Sequence, residues 1–257
     1  MLPIAEIQKL IEGEIYADDA TLDKYSRDAS LFEMRPQAVV FPKSSADIQA
    51  LVQWVSAHKA EIPDLSITMR AAGTCMSGGT VNESIIVDTS IYMHGVLEVN
   101  ETEKWARVLP GTYYRDFDAE TRKSGLIMPA YTASREICAV GGMVGNNAGG
   151  EKSIQYGKVE NFIRELKVVF TDGHEYTVKP LTKAELLEKI NTEGFESGVY
   201  AKLFALITQN YEKIKQAKPN VSKNSAGYYL WNVWSAETEV FDLCKLIVGS
   251  QGTLGFV

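Results

Sequence analysis

Arg70-Ala-Ala-Gly-Thr-Cys-Met-Ser-Gly-Gly79 lies between two apolar runs, Ser66 to Met69 and Ser84 to Asp88. The pattern reads as strand, glycine-punctuated loop, strand. Such a loop can turn several backbone N–H groups toward one point and hold an anion there. Glycine permits both the positive-φ turns and the close approach of backbone to ligand that a Cβ would block. The implied ligand is a phosphate or pyrophosphate. A Walker loop is excluded because Gly73-x4-Gly78 is followed by Gly79 and Thr80, without the lysine that reaches terminal phosphates. A Rossmann fingerprint is excluded because the segment leads into a strand, where that motif opens a helix. A tight structural turn accounts for the loop alone equally well.

A second segment, Pro129 to Gly150, contains five of the twenty glycines among small and hydroxylic residues. Ordering so glycine-rich a stretch costs much conformational entropy, which favours a ligand-lining role. A flexible surface loop is the alternative. Ile137, Val140, Met143 and Val144 recur at helical spacing within it and predict a short buried helix.

Further blocks accompany these two: Tyr25-Ser-Arg-Asp-Ala-Ser30, Ala38-Val-Val-Phe-Pro42, Pro110-Gly111, Tyr156-Gly157, Lys223-Asn-Ser-Ala-Gly-Tyr228 and Val248-Gly-Ser-Gln-Gly-Thr-Leu-Gly255. In this order the set resembles the FAD-linked oxidases of the vanillyl-alcohol oxidase / p-cresol methylhydroxylase superfamily. It is most similar to the branch of the glycolate oxidase FAD subunit, D-lactate dehydrogenase and D-2-hydroxyglutarate dehydrogenase. The resemblance spans nearly the whole chain.

It implies an α+β, two-lobed FAD-binding domain and an enzyme that dehydrogenates a small 2-hydroxy acid by hydride transfer to FAD. The implied phosphate contacts are Arg70, Ala72, Gly73, Thr74, Cys75, Met76, Ser77 and Gly78. Pro129, Thr132, Ser134, Gly141, Gly142, Asn146, Asn147 and Gly149 match the segment along the flavin and its ribityl chain. Pro110, Gly111, Gly255, Phe256 and Val257 match further cofactor contacts. The histidine that carries covalent flavin in some relatives falls near Thr74, so FAD is expected to be noncovalent. Gln251 stands where the family usually has glutamate, which leaves that turn's role open.

The resemblance also implies what lies outside the chain. Groups that grip a substrate carboxylate and take its hydroxyl proton come mostly from a cap domain downstream, and the sequence stops at Val257, in mid-strand by this comparison. The expectation is an FAD-binding portion lacking that cap, with an electron acceptor or iron–sulfur partner. Lys223 and Tyr228 are the weak catalytic candidates, with a loop lysine and a packed tyrosine as the plain alternative. A noncatalytic flavin-binding or electron-relay subunit is a second reading. A relative of the UDP-sugar enolpyruvyl reductases is a third.

Composition narrows the remainder. With 33 acidic against 26 basic residues the net charge is −7, which disfavours nucleic acid as a main partner. A pyrophosphate must then be held locally. Charge-assisted hydrogen bonds contribute about 1.5–3 kcal/mol each, so four loop amides would supply much of the roughly 8 kcal/mol of micromolar binding. Arg70 is the one cation in the loop, with a surface carboxylate as its alternative partner.

Hydrophobic content of 45% gives ample core for 257 residues. Cys75, Cys138 and Cys244 are spaced neither as a metal motif nor as a disulfide set, and no metal is expected. His58, His94 and His174 are scattered and read as surface or structural residues. The N-terminus lacks signal-peptide features and no apolar run is long enough to span a membrane, so a cytoplasmic location, free or at the inner face of the membrane, is expected.

The pattern divides the chain into a first lobe over residues 1–90, bearing the pyrophosphate loop, and a second over 91–257. Ala38 to Phe41 reads as a strand, Ser44 to Asp47 as a capping box, and Ile48, Leu51, Val52 and Val55 as one helix face. Ser84 to Asp88 reads as opening the more antiparallel second lobe, followed by strands at Val96 to Val99 and Trp105 to Leu109. A helix over Thr112 to Lys123 is stopped by Gly125. Thr171-Asp-Gly173 predicts a hairpin between Phe162 to Phe170 and His174 to Val178. Helices are expected over Thr182 to Asn191, Val199 to Gln216 and Ala236 to Val248.

Overall fold

In the computed structural model, which describes residues 2–221, 224 and 227–257, the first sheet is organised around a strand buried on both faces. A short helix α1 (Ile4–Ile7) leads to β1 (Glu14–Tyr16), α2 (Asp19–Tyr25), β2 (Ala38–Phe41), α3 (Ser45–His58), β3 (Ile67–Arg70) and β4 (Ile85–Asp88). Their sheet order is β1-β2-β4-β3, with β2 and β3 both parallel to β4 and β1 antiparallel to β2. The strand expected to open the second lobe is therefore the inner strand of the first sheet. Ile85, Ile86 and Val87 are fully buried, the continuous apolar run that a two-sided parallel strand requires. β1, short and half-exposed, is an addition that the sequence pattern did not announce.

α3 packs on this sheet through Leu51 and Trp54, against Ile7, Ile85 and Val87. Its Ile48 and Val52 meet Met93 and Val169 on the other side, and Val55 is partly buried. The expected capping box does not form. Ser44 makes no side-chain cap, and Asp47 turns away to accept N–H groups from Glu12 (2.7 Å), Gly13 (3.0 Å) and Lys43 (2.8 Å). Three backbone donors before β1 and α3, that of Gly13 buried and the other two part-buried, outcompete the cap.

Beyond β4 come the hairpin β5 (Val96–Asn100) and β6 (Trp105–Val108), then α4 (Tyr114–Arg122), α5 (Val140–Gly145) and α6 (Ser153–Tyr156). Of the predicted apolar face, Val140, Met143 and Val144 are buried in α5, whereas Ile137 precedes the helix and is exposed. The hairpin β7 (Leu166–Val169) and β8 (Glu175–Val178) closes around Gly173 at φ +74°. It docks on α3 through Gln53 and Ser56, which donate to the Gly173 and Thr171 carbonyls.

β9 (Leu181–Thr182) leads into α7 (Lys183–Ile190), where Thr182 and Glu185 form a reciprocal cap. The helix expected over 199–216 starts earlier and breaks at Asn210 into α8 (Phe195–Gln209) and α9 (Tyr211–Gln216). The last predicted helix is mostly a strand and a turn. β10 (Trp234–Ser235) and β11 (Val240–Phe241) pair antiparallel, β11 also pairs with β9, and only α10 (Cys244–Ile247) is helical. Phe241, fully buried, is drawn into the sheet, and Glu239 takes a positive φ of 51° at the turn.

Replacing Asp47 by alanine leaves three backbone donors without their acceptor and is expected to cost about 1–3 kcal/mol, the penalty of the one buried donor, Gly13 N–H. Urea unfolding checks this, and a midpoint equal to that of the parent would refute the assigned role.

Candidate functional site

β3 and β4 are adjacent and parallel, so residues 71–84 must carry the chain from the carboxyl end of one back to the amino end of the other. The glycine-rich segment makes this return, with Gly73 at φ +65° and Gly78 at φ +77°. Segment 25–30 braces it from outside. The Gly73 carbonyl accepts from Ala29 N–H at 3.1 Å, and Thr80 Oγ1 donates to Asp28 at 3.0 Å. Burial works to raise the Asp28 carboxyl, and hydrogen bonds from Ser30 and Thr80 outweigh it, holding the group below its ordinary value. Within the loop, Cys75 Sγ accepts from Gly79 N–H at 3.4 Å.

Among the described residues Arg70 pairs with no carboxylate. Its guanidinium lies 5.1 Å from the Tyr25 ring centroid, and the Tyr25 hydroxyl donates to buried Asp88 at 2.7 Å. Burial, then the charge and hydrogen bond of Asp88, push that hydroxyl well above its ordinary range, so it remains a donor. A Cβ on Gly73 would strike Arg70 Nη2 at 2.4 Å. The side chain that glycine excludes would thus point into the guanidinium.

The second glycine-rich segment forms the opposite wall. Gly141 donates its N–H to the Pro110 carbonyl at 2.8 Å, and a Cβ there would meet Pro110 Cβ at 2.7 Å. This close approach brings α5 against the loop, where Gly142 faces Ala71. The end of α5 is stitched to the C-terminal turn by Gly249 N–H to Val144 O and Gln251 N–H to Gly145 O. Phe256 exchanges two backbone hydrogen bonds with Val169, setting Gly255 to Val257 along the cavity.

Between these walls lies a cavity of about 1050 Å³, part of it open to solvent. Of the candidate residues, Arg70, Ala72, Gly73, Thr74, Cys75, Pro110, Thr132, Ser134, Gly141, Gly142, Asn146, Gly255, Phe256 and Val257 line it. The remaining candidates lie elsewhere. Met76 is 83% exposed on the outer side of the loop, while Ser77 and Gly78 approach Cys75 and Phe32. Gly111 is packed against the Thr89 carbonyl and Gly149 against Ser153. Pro129 is outside the lining. Asn147 is buried at φ +45° with its Oδ1 accepting Glu160 N–H, so it orients the backbone between Asn146 and Ala148. Tyr228 is not in the lining and pairs with Thr253 Oγ1, and Lys223 lies outside the described residues.

Residues missed by sequence reasoning complete the wall: Thr80, Thr89, Gly145, Ser250, Gln251 and Gly252. Gln251, at φ +53°, was foreshadowed by the dense glycines at 249, 252 and 255.

The wall's chemistry suits a dinucleotide with a diphosphate bridge. Among the described residues, the amides of Ala72, Gly73, Thr74 and Cys75 donate to no protein acceptor, and Arg70 Nη1 is buried without a hydrogen-bond partner. Donors without a protein partner, carried by residues that line one cavity, suit an anionic ligand. Among the described residues the lining contains no histidine, carboxylate, lysine or tyrosine, and its titratable side chains are Arg70, Cys75 and Cys138. Among the described residues no group of side chains could hold a metal, and no helix is long and apolar enough to cross a membrane.

Comparison with known proteins agrees with this geometry. D-2-hydroxyglutarate dehydrogenase of Haemophilus influenzae is 31% identical over 251 residues, 96% of this chain and 24% of that protein. Glycolate oxidase subunit GlcD of Bacillus subtilis is 26% identical over 251 residues, 96% of this chain and 41% of that one. The chain thus spans well under half the length of these relatives.

Among solved structures, alkyldihydroxyacetonephosphate synthase superposes with a TM-score of 0.64 at 18% identity, covering 100% of this chain and 39% of that one. For 6-hydroxy-D-nicotine oxidase of Arthrobacter nicotinovorans the TM-score is 0.57 at 22% identity, over 66% of this chain and 36% of that one. These likenesses show the fold, α+β of p-cresol methylhydroxylase type. The profile of the FAD binding domain family matches residues 36–179, which include the phosphate loop and most of the opposite wall. This chain belongs to the FAD binding domain family.

Proposed function

We propose that the chain is the FAD-binding portion of an oxidoreductase that dehydrogenates a small 2-hydroxy acid, with D-2-hydroxyglutarate as the first substrate to test. The observation that carries the reading is the cavity in which both glycine-rich segments meet, walled by unpaired amides and, among the described residues, without histidine, carboxylate or lysine. The names of the relatives supply the substrate class. In this reading residues 1–90 form the lobe bearing the phosphate loop and 91–257 the lobe bearing the flavin wall.

FAD, when bound, supplies the hydride acceptor for oxidation of the alcohol carbon. The loop amides of Ala72 to Cys75 would hold its diphosphate, and Thr132, Ser134, Gly141, Gly142 and Asn146 would flank its flavin side. Grip on the substrate carboxylate and removal of its hydroxyl proton fall to groups outside this wall, in keeping with the much greater length of the relatives. The acceptor of the electrons is then a partner molecule, with a cytoplasmic location, free or at the membrane's inner face.

The same absence of a base favours a second reading, a flavin-binding electron-relay subunit whose substrate chemistry belongs to another chain.

Titration with FAD is expected to give a stoichiometric complex, and Gly73→Val to weaken it about 100-fold, equivalent to about 2.7 kcal/mol. A branched residue at φ +65° is strained and would displace the Arg70 guanidinium. Normal affinity in the variant would remove the loop from the site.

Acid precipitation of the complex is expected to release all yellow colour, because Thr74 offers no ring nitrogen for covalent attachment. Flavin retained in the pellet would contradict noncovalent binding. Because substrate grip and proton removal fall outside this wall, the two functional readings are separated by anaerobic mixing of D-2-hydroxyglutarate, D-lactate and glycolate with the full-length protein that carries this chain. Bleaching supports the dehydrogenase, and a flavin that bleaches only under light with a sacrificial donor supports the relay.

A further inference from the structure

Arg70 occupies an unusual position for a cation. It ends β3, lines the cavity, and sits opposite Asp88 in the parallel register, yet among the described residues no carboxylate lies within ion-pairing distance of it. Asp88 is already engaged by the Tyr25 hydroxyl at 2.7 Å, the Ser90 amide at 2.7 Å and the Ser90 hydroxyl at 2.6 Å. The guanidinium is stacked 5.1 Å from the centroid of the Tyr25 ring and packed against Gly73, where an added Cβ would fall 2.4 Å from Nη2, 2.8 Å from Cζ and 2.9 Å from Nε. Its Nη1 is buried and unpartnered. The charge is therefore clamped between an aromatic face and the turn whose neighbouring amides are free.

Cation–π stacking holds a guanidinium in place without neutralising it, and a planar group can support a peptide turn where a flexible ammonium cannot. We propose that Arg70 is the positioning residue of the phosphate loop: stacked on Tyr25, it supports the positive-φ turn at Gly73 and places an uncompensated positive charge behind the amides that receive the diphosphate. The proposal rests on the FAD reading given above. It assigns to Arg70 a role through Gly73, and to Tyr25 the role of holding Arg70.

The test compares FAD affinity and its salt dependence in the parent chain, Arg70→Met and Arg70→Lys, with circular dichroism to establish folding. Arg70→Met is expected to bind FAD 10- to 100-fold more weakly, with a flatter dependence of affinity on sodium chloride. Arg70→Lys is expected to regain the parent's salt dependence but only part of its affinity, since it restores the charge and not the plane. A purely structural role would lower affinity in both variants without changing the salt slope, and that result overturns the proposal. So does Arg70→Met binding within twofold of the parent.

If Arg70→Met does not fold, Tyr25→Leu decides: removal of the supporting ring is expected to weaken FAD binding at least fivefold, and an affinity within twofold overturns the proposal. A folded parent that binds no FAD overturns the FAD reading itself. Parent binding with unaffected variants overturns only the assignment of Arg70.

Discussion

Everything in the site follows from two neighbouring strands that run the same way. Because β3 and β4 are parallel and adjacent, residues 71–84 must double back between them, and they do so without a helix to absorb their backbone groups. A return of this kind leaves amides with nowhere internal to go. In most connections water takes them. Here the opposing α5 wall, held close by the contact of Gly141 with Pro110, encloses them in a cavity. In the proposed reading these donors form the binding surface. The apolar strand that forces this geometry, Ile85 to Val87, never touches the cavity.

The second wall is built by a different logic. It contains little regular structure, and its shape comes from backbone stitches between distant segments: α5 to residues 249–251, and Phe256 to Val169. Small side chains let these segments approach closely, while buried Asn147 fixes the local chain direction through its bond to Glu160. The result is a surface of hydroxyls, amides and methyl groups carrying almost no charge. Such a wall can orient a large planar ligand and keep water from it. It leaves proton chemistry to whatever faces the ligand from the other side.

The glycine-rich segments were legible because strain and close approach leave a compositional trace, and the β-α-β order was legible because β2, β3 and the face of α3 repeat with clear periods. Asp47 misled because Ser44 and Asp47 have capping-box spacing, whereas three amides of other segments claimed the carboxylate. The helix expected over Ala236 to Val248 misled because the helical spacing of Val240, Leu243, Cys244 and Ile247 also arises where a strand, a turn and a single helical turn face one core. The helix break at Asn210 carried no proline or glycine to announce it. Gly111 and Gly149 show that glycine marks crowding as well as ligand contact, and composition does not distinguish the two. The glycines around Gln251 announce a turn, but that Ser250 and Gln251 reach the cavity depends on tertiary stitching to α5.

Val169 belongs at once to the β7–β8 hairpin, to the packing against α3, and to the bridge with Phe256. Fraying of that hairpin therefore loosens one side of the cavity even though no hairpin residue lines it. Ligand retention and the breathing of a surface ribbon are consequently one equilibrium, and a bound dinucleotide clasps the ribbon shut by mass action.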